Sequence, residues 1–219
     1  MILSNNEITI DFFENINYSY KSIGIQLSGG IDSSFVLYCL VKTLQDRDFK
    51  NVNIYPLVLY DLKDAHLKTY ETVENIIKLI VEKTQTTFIK EPIVVPYYEF
   101  KAKSLIYSRQ YMRNRYGCEI ILSGLTKDMP HSNRPCDPYE AAMKLDPTEK
   151  RHWETFSPFL NVDKKFIAEQ YKKFKLDDLA KITNSCTVSA ITPCKKCWWC
   201  EERYWAFNSY DGGINYGIN

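Results

Sequence analysis

The sequence predicts an α/β fold, in which a doubly wound parallel sheet is followed by a small metal-binding region near the C-terminus. Two patterns indicate this arrangement. Between residues 23 and 122, short apolar segments alternate with segments of helical periodicity, and four of the seven cysteines fall within fifteen residues. Strands that alternate with helices form parallel sheets with right-handed crossovers. Crowded cysteines in a chain of this length indicate a bound metal.

Hydrophobic periodicity defines the individual elements. Apolar runs predict buried strands at residues 23–27, 53–60, 86–89 and 118–122. Apolar side chains spaced three or four residues apart predict helices at residues 33–44, 73–81, 105–116 and 163–174, the last with Asp163 as its N-cap. Residues 127–155 are rich in proline and aspartate, which predicts a long functional loop with one short helix near residues 139–144.

Composition and charge narrow the function classes. Of the 219 residues, 45% are hydrophobic and 25% are charged, which is typical of a packed globular core and not of disorder. The formal net charge of +1 lacks the basic excess that is common in nucleic-acid-binding proteins. The sequence has no apolar run of about 18 residues, and residues 1–10 lack the features of a signal peptide. We therefore expect a protein of the reducing cytoplasm with no membrane partner.

A pair of glycines follows the first predicted strand, within the string Ser28-Gly29-Gly30-Ile31-Asp32-Ser33-Ser34. Adjacent glycines allow the backbone to approach a phosphate without an intervening Cβ, and the N–H groups of a helix N-terminus attract anions. The string lacks the lysine of a Walker P-loop. A turn with a serine N-cap and no ligand is the alternative. The complete string, between a buried strand and an amphipathic helix, favours a phosphate-binding loop.

The crowded cysteines have the spacing Cys186-x7-Cys194-x2-Cys197-x2-Cys200. Four thiolates at such spacings are typical of a tetrahedral zinc site, and four protein ligands leave no open position for catalysis, so we expect a structural role. An iron–sulfur cluster, which also uses four thiolates, is an alternative. Disulfides and a redox Cys-x-x-Cys pair are less consistent with the compartment and with the number of cysteines. The isolated cysteines are expected in the core or in loops: Cys39, Cys118 and Cys136.

The glycine-containing string resembles the pyrophosphate-binding loop of the N-type ATP pyrophosphatases, or PP-loop superfamily. A PP-loop followed by a C-terminal four-cysteine site resembles the 7-cyano-7-deazaguanine synthases. The string from Ser157 to Lys164 is similar to that family's Pro-Leu stretch with a lysine at a helix start, and Asn184, Ser185 and Arg203 extend the likeness. The resemblance spans most of residues 22–207. It is loose in the substrate-facing segments, residues 60–66, 100–104 and 134–137.

The resemblance implies an adenine nucleotide alpha hydrolase-like fold, with an ATP-binding domain at residues 1–160 and a helical zinc-binding region at residues 161–219. It also implies an ATP-dependent C–N ligase of queuosine biosynthesis. A 7-carboxy-7-deazaguanine-like carboxylate would attack the α-phosphorus, ammonia would displace AMP, and a second adenylation would yield the nitrile. Magnesium would bridge the phosphates. The loop, residues 28–34, would hold pyrophosphate, and Asp32 and Lys164 would be catalytic. Alternatively, Asp32 would only stabilise the loop through hydrogen bonds with backbone N–H groups, and Lys164 would be a solvated surface lysine.

Two other function classes remain open at this stage. A PP-loop enzyme that thiolates a tRNA base would use the basic residues of the third helix, Arg109, Arg113 and Arg115, although a solvated helix face is the expected role of these residues. A non-catalytic zinc-binding partner subunit is the other class, and the intact phosphate loop argues against it. His131 and Arg134, in the long loop, are candidate substrate contacts. A homodimer is compatible with the main interpretation.

Overall fold

The computed structural model describes the chain except for residues 13, 15, 18, 62–66, 98–100, 131–154, 190–191 and 213–219. For residues 60, 61, 67, 68, 96, 97 and 101–106 it describes the backbone. The predicted short helix near residues 139–144, the isolated Cys136, and the candidate contacts His131 and Arg134 lie outside the described residues. So does most of the predicted long loop.

The centre of the fold is a parallel sheet of five strands. The strands are β3 (Ser22–Gln26), β4 (Asn53–Asp61), β5 (Ile93–Tyr97), β6 (Ile120–Leu122) and β7 (Thr155–Phe156), in the order β5-β4-β3-β6-β7. Each pair of neighbours is parallel. The chain builds outward from β3 in one direction and then in the other, which creates a switch point between β3 and β6. An antiparallel hairpin of β1 (Ile2–Ser4) and β2 (Thr9–Asp11), which the sequence patterns did not predict, precedes the sheet.

Helices cover both faces of the sheet, which confirms the doubly wound α/β class. One face carries α1 (Ile31–Asp46) and α2 (Leu67–Thr84), and the other carries α3 (Lys101–Tyr116). Strand residues alternate between the two cores. Ile23 and Ile25 belong to the larger core under α1, whereas Leu57 and Ile121 belong to the smaller core with Met112 of α3.

Three C-terminal helices extend the larger core. They are α4 (Lys164–Lys173), α5 (Asp177–Ile182) and α6 (Trp198–Phe207). Asp163 caps α4 as predicted, because its side chain accepts hydrogen bonds from the N–H groups of Lys165 and Phe166. Tyr171 of α4 is fully buried and donates a hydrogen bond from its hydroxyl to the carbonyl of Ile31, at 2.8 Å. This contact fixes α4 against the start of α1.

The prediction of the third strand was wrong. Residues 86–89 contribute only a single bridge between Ile89 and Ile54, and the third strand is Ile93–Tyr97. That strand contains Pro96 and lies at the edge of the sheet, where the missing N–H of proline is tolerated. Among the helices that the structure describes, none is long and apolar enough to cross a membrane.

Candidate functional site

A cleft of about 460 Å³ opens at the carboxyl ends of β3 and β6. Ligands of open parallel sheets bind at such a switch point. The cleft is lined by the predicted loop from Ser28 to Ser33, by the segment from Ser123 to Thr126, and by residues of α2, α3, α4 and α6. Cys186, the first residue of the cysteine group, also lines the cleft. One cavity therefore brings together the two motifs that the sequence analysis identified.

The loop residues hydrogen-bond to one another. The hydroxyl of Ser34 donates to the carbonyl of Gly30 at 2.7 Å, and the hydroxyl of Ser33 donates to the same carbonyl at 3.2 Å. The N–H of Gly30 donates to the hydroxyl of Ser28 at 3.3 Å. Ser34 is fully buried and is not among the cleft-lining residues, so it braces the loop. The other six predicted loop residues face the cleft.

Gly30 is the N-cap of α1 and has no side chain that could accept from the first N–H groups of the helix. These N–H groups have no partner within the helix, and the residues that carry the first of them, Ile31 and Asp32, line the cleft. Gly29 has φ of +79°, a left-handed conformation that favours glycine. The N-terminus of α1 therefore carries a partial positive charge, and the two glycines before it have no side chain to obstruct a ligand. This combination suits a phosphate.

A third glycine sets how closely β6 approaches the loop. A Cβ on Gly124 would lie 2.6 Å from the backbone nitrogen of Ser33. No side chain fits there, because the three atoms nearest to that Cβ all belong to the backbone of Asp32 and Ser33. Gly124 thus lets the end of β6 pack directly on the first turn of α1.

Lys164 is buried and forms ion pairs with two carboxylates. Its Nζ lies 3.0 Å from Oδ2 of Asp32 and is hydrogen-bonded to Oε2 of Glu202. Lys164 is 2% exposed, so the alternative of a solvated lysine is wrong. Burial by itself lowers the pKa of Lys164, but the charges of Asp32 and Glu202 outweigh burial and raise it. The ammonium group is therefore charged at neutral pH and ties α1, α4 and α6 together.

Glu202 was missed by sequence reasoning. It belongs to α6, two residues after Cys200, and is 2% exposed, whereas its neighbour Glu201 is exposed. Nothing in the sequence distinguishes the two glutamates. Glu202 differs from Glu201 only because it lies beside Lys164 in the folded chain. Oδ1 of Asp32 is also buried, and no described residue gives it a hydrogen bond.

The four predicted ligands form one cluster. The sulfur atoms of Cys186, Cys194, Cys197 and Cys200 all lie within 4.8 Å of one another. The sulfur atoms of Cys194 and Cys200 are 4.0 Å apart. A tetrahedral ion with bonds of about 2.3 Å places its sulfur ligands about 3.8 Å apart. The distance between Cys194 and Cys200 lies near that value, and each of the four cysteines offers one sulfur ligand to a metal.

Backbone N–H groups point at these sulfurs, as expected for thiolates. Cys194 donates from its N–H to the sulfur of Cys186 at 3.3 Å, and Cys197 donates to the sulfur of Cys194 at 3.3 Å. The N–H groups of Lys196 and Cys197 lower the pKa of Cys194 to about 6. Burial raises the pKa of Cys200 above its usual range.

Arg203 braces the segment that carries Cys186. It is fully buried, donates to Thr183, Ser185 and the carbonyl of Ala180, and lies 2.8 Å from Oδ1 of Asp211. Asp211 in turn accepts hydrogen bonds from the N–H groups of Ser185 and Cys186, at 2.8 and 2.9 Å. Burial lowers the pKa of Arg203, and the charge of Asp211 opposes that shift. This network positions the first ligand beside the cleft.

The expectation that Arg109 lies on a solvated helix face was wrong. Arg109 is 5% exposed, lines the cleft and donates from Nη2 to Oε1 of Gln26 at 3.1 Å. Arg113 is half-buried and Arg115 is exposed. The three arginines therefore do not form one basic surface, and only Arg109 faces the cleft.

Comparisons with known proteins show a likeness at the level of a solved structure. No family model and no curated protein matches the sequence. The chain is similar to a solved structure of the U34-tRNA thiolase NcsA from Methanococcus maripaludis with its 4Fe-4S cluster, with a TM-score of 0.49 and 12% sequence identity. The match covers 75% of this chain and 62% of that chain, which is less than two thirds of its length. The function is therefore inferred from the residues of the site.

Proposed function

We propose that this protein is a PP-loop enzyme that splits ATP into AMP and pyrophosphate in order to activate a substrate carboxylate. The observation that carries the proposal is the glycine-containing loop at the start of α1, which faces the cleft with its backbone N–H groups and with Lys164 close by. The loop lacks the lysine of a Walker P-loop, which supports the release of pyrophosphate over the transfer of the γ-phosphate.

The proposed reaction begins with the carboxylate of a 7-carboxy-7-deazaguanine-like substrate. One carboxylate oxygen bonds to the α-phosphorus, the bond from that phosphorus to the bridging oxygen breaks, and pyrophosphate leaves with the electron pair. Ammonia then attacks the acyl carbon, AMP leaves and one proton is released, which gives the amide. A second adenylation, on the amide oxygen, followed by loss of AMP and protons gives the nitrile.

The residues of the cleft suit the first step. The N–H groups of Gly29 and of the first turn of α1 hold the β- and γ-phosphates and stabilise the charge that develops on the leaving pyrophosphate. Lys164 neutralises part of the negative charge of Asp32 and Glu202 and fixes both carboxylates beside the loop. Asp32 fits a magnesium ligand, because Oδ1 is a buried carboxylate oxygen that no described residue engages. Bound magnesium supplies charge neutralisation at the phosphates.

The cysteine cluster fits one zinc ion with a structural role. Four sulfurs within 4.8 Å complete a tetrahedron, and the N–H groups that point at them support thiolates. Four protein thiolates leave no coordination position for a substrate, so bound zinc supplies rigidity to the segment between Cys186 and α6. Such a site requires reduced thiols, which is consistent with a cytoplasmic location.

One observation favours a second candidate, the modification of a nucleic-acid base. Cys186 lines the same cleft as the phosphate loop, which places a metal centre near any activated base. The net charge of +1 and the burial of Arg109 favour a small substrate instead. A homodimer remains part of the proposal for either substrate.

The test is incubation of the purified protein with ATP, magnesium, ammonium and 7-carboxy-7-deazaguanine, followed by mass spectrometry. We expect AMP, pyrophosphate and the nitrile. ADP and orthophosphate as main products would refute the PP-loop reaction. Binding of tRNA at physiological salt, together with tRNA-dependent release of pyrophosphate, would select the second candidate.

A further inference from the structure

We infer that Arg109 and Gln26 bind the carboxylate of a small planar substrate in the part of the cleft between β3 and α3. The inference rests on the proposed function, because it names the residues that hold the group which ATP would activate.

The packing of α3 on the sheet places Arg109 at this position. Met112 packs against the bare backbone of Gly24, where a Cβ would lie 2.6 Å from the Met112 methyl group. Gln26 points to the same face of β3 as Gly24, since side chains of a strand alternate. Arg109 lies one helical turn from Met112 and therefore reaches Gln26, at 3.1 Å. Gly24 thus lets α3 approach closely enough for the contact.

The orientation of the Gln26 amide follows from the chemistry of arginine. A guanidinium group only donates hydrogen bonds, so Oε1 of Gln26 faces Arg109 and Nε2 faces elsewhere. That nitrogen is buried, and no acceptor in the described part of the chain lies within hydrogen-bonding distance of it. A buried amide donor of this kind costs free energy unless a ligand accepts from it. Both residues line the cleft, so a ligand there lies beside a guanidinium group and beside an amide whose nitrogen has no acceptor among the described residues.

Charge and shape favour a carboxylate. Burial and the nearby charge of Arg113 lower the pKa of Arg109 to about 10, so the group stays positive at neutral pH. A substrate carboxylate that approaches a triphosphate is repelled, and a buried guanidinium offsets that repulsion. The planar fork of arginine also matches the two oxygens of a carboxylate, which an ammonium group does not.

The neighbouring strand supplies an apolar wall. Leu57 is the register partner of Gln26, and both Leu57 and Leu59 line the cleft. Apolar walls with a few placed polar groups are typical of sites for small molecules. We therefore assign the ligand to the class of small heteroaromatic acids, with the ring against the leucines and the carboxylate toward Arg109.

The experiment is calorimetric titration of 7-carboxy-7-deazaguanine into the full-length, metal-loaded protein with α,β-methylene-ATP and magnesium present. Removal of a charged hydrogen bond predicts that Arg109→Met weakens acid binding about tenfold to hundredfold, with Arg109→Lys between it and wild type. Affinity for the ATP analogue should not change. Arg115→Met, on the exposed part of the same helix, is the matched control and should change neither affinity. Binding of the neutral 7-cyano-7-deazaguanine should be far less sensitive to Arg109→Met.

Three outcomes would overturn the site: acid affinity unchanged in a folded Arg109→Met, equal loss of affinity for acid and ATP analogue, or no acid binding by the wild type. If Arg109→Met does not fold, Gln26→Leu takes its place, with an expected loss of about threefold to tenfold and the same overturning outcomes. Wild-type pyrophosphate release is measured in parallel. Arg109-dependent acid binding without pyrophosphate release would refute the proposed function and leave the site standing. Pyrophosphate release together with acid binding that does not depend on Arg109 would refute the carboxylate site and leave the proposed function standing.

Discussion

The phosphate loop and the cysteine cluster meet at one cleft, yet they are built in different ways. The loop consists of seven consecutive residues whose serine hydroxyls bond to the carbonyl and N–H of Gly30. The cluster collects its first ligand from a segment eight residues before the second, and that segment is held by Arg203 and Asp211. The loop therefore keeps its shape through its own hydrogen bonds. The cluster places four sulfurs within 4.8 Å, where ionised thiolates repel one another unless a cation lies between them.

This difference separates the expected consequences of mutation. Damage to the loop should remove ligand binding and leave the fold, whereas damage to the cluster should reduce stability as well, because metal binding contributes folding free energy. The ion pairs of Lys164 join the two regions, since Asp32 belongs to the loop and Glu202 belongs to the helix that carries Cys200.

The largest expected effect comes from Gly29→Ala. A Cβ at this position occupies the surface that approaches phosphate and lies 3.3 Å from Cγ2 of Thr72. We expect ATP turnover to fall by about a hundredfold or more, measured as release of pyrophosphate. Gly117→Ala is the matched control, since Gly117 also has a positive φ and a Cβ there would meet no atom within 4 Å. If both variants lost turnover equally, the cause would be backbone strain, and the assignment of residues 28–34 as a phosphate-binding loop would be contradicted.

The second effect concerns metal and stability together. Cys200→Ser should lower the metal content well below one ion per chain and should lower the melting temperature, because the proposed ion would link Cys186 to the start of α6. Cys118→Ser, at a buried cysteine outside the cluster, should leave the metal content unchanged. Elemental analysis and thermal melts of the purified variants measure both. Iron with sulfide in place of zinc in the wild type would replace the zinc proposal with an iron–sulfur cluster.

Residues that act within one stretch of sequence could be predicted, and residues that meet only in the fold could not. The loop from Ser28 to Ser34 and the cysteine spacing are local patterns, and each appears in the structure at the cleft. Glu202 and Asp32 are 170 positions apart in the sequence and share a partner, Lys164, only because α4 packs against both α1 and α6. No sequence pattern encodes that distance.

The misassigned elements have similar causes. Arg109, Arg113 and Arg115 look alike in the sequence, and only the packing of Met112 on Gly24 turns Arg109 into the cleft. The glycine inside a buried strand was the available signal, because such glycines mark a close approach. The domain boundary near residue 160 stays a prediction.

The third effect tests the link between the two regions. Glu202→Gln removes one charge from the Lys164 cluster but leaves Asp32 to pair with the lysine, so we expect a loss of about 1–3 kcal/mol in the free energy of unfolding. Nucleotide affinity should also fall, because Lys164 is less firmly positioned. Urea unfolding and titration with α,β-methylene-ATP measure these changes. Glu201→Gln, on the exposed side of the same helix, should change neither quantity, and an equal effect of both substitutions would argue against the link.

The smallest expected effect is the pH dependence of the Lys164 cluster. Asp32 and Glu202 outweigh burial and raise the pKa of Lys164. A lysine with a raised folded pKa contributes stability that is fully present below its unfolded pKa of about 10.5 and is lost as the pH rises through the folded value. The difference in unfolding free energy between wild type and Lys164→Met should therefore stay constant from about pH 7 to about pH 9.5. Lys165→Met, at the exposed neighbour, corrects for general charge effects. A wild-type advantage over Lys164→Met that grows as the pH rises within this range, with no such change for Lys165→Met, would show that burial and not the two carboxylates dominates the ammonium group, because a lowered folded pKa adds stability as the buried lysine loses its proton. Lys164 would then be a weak anchor between the phosphate loop and the cysteine cluster.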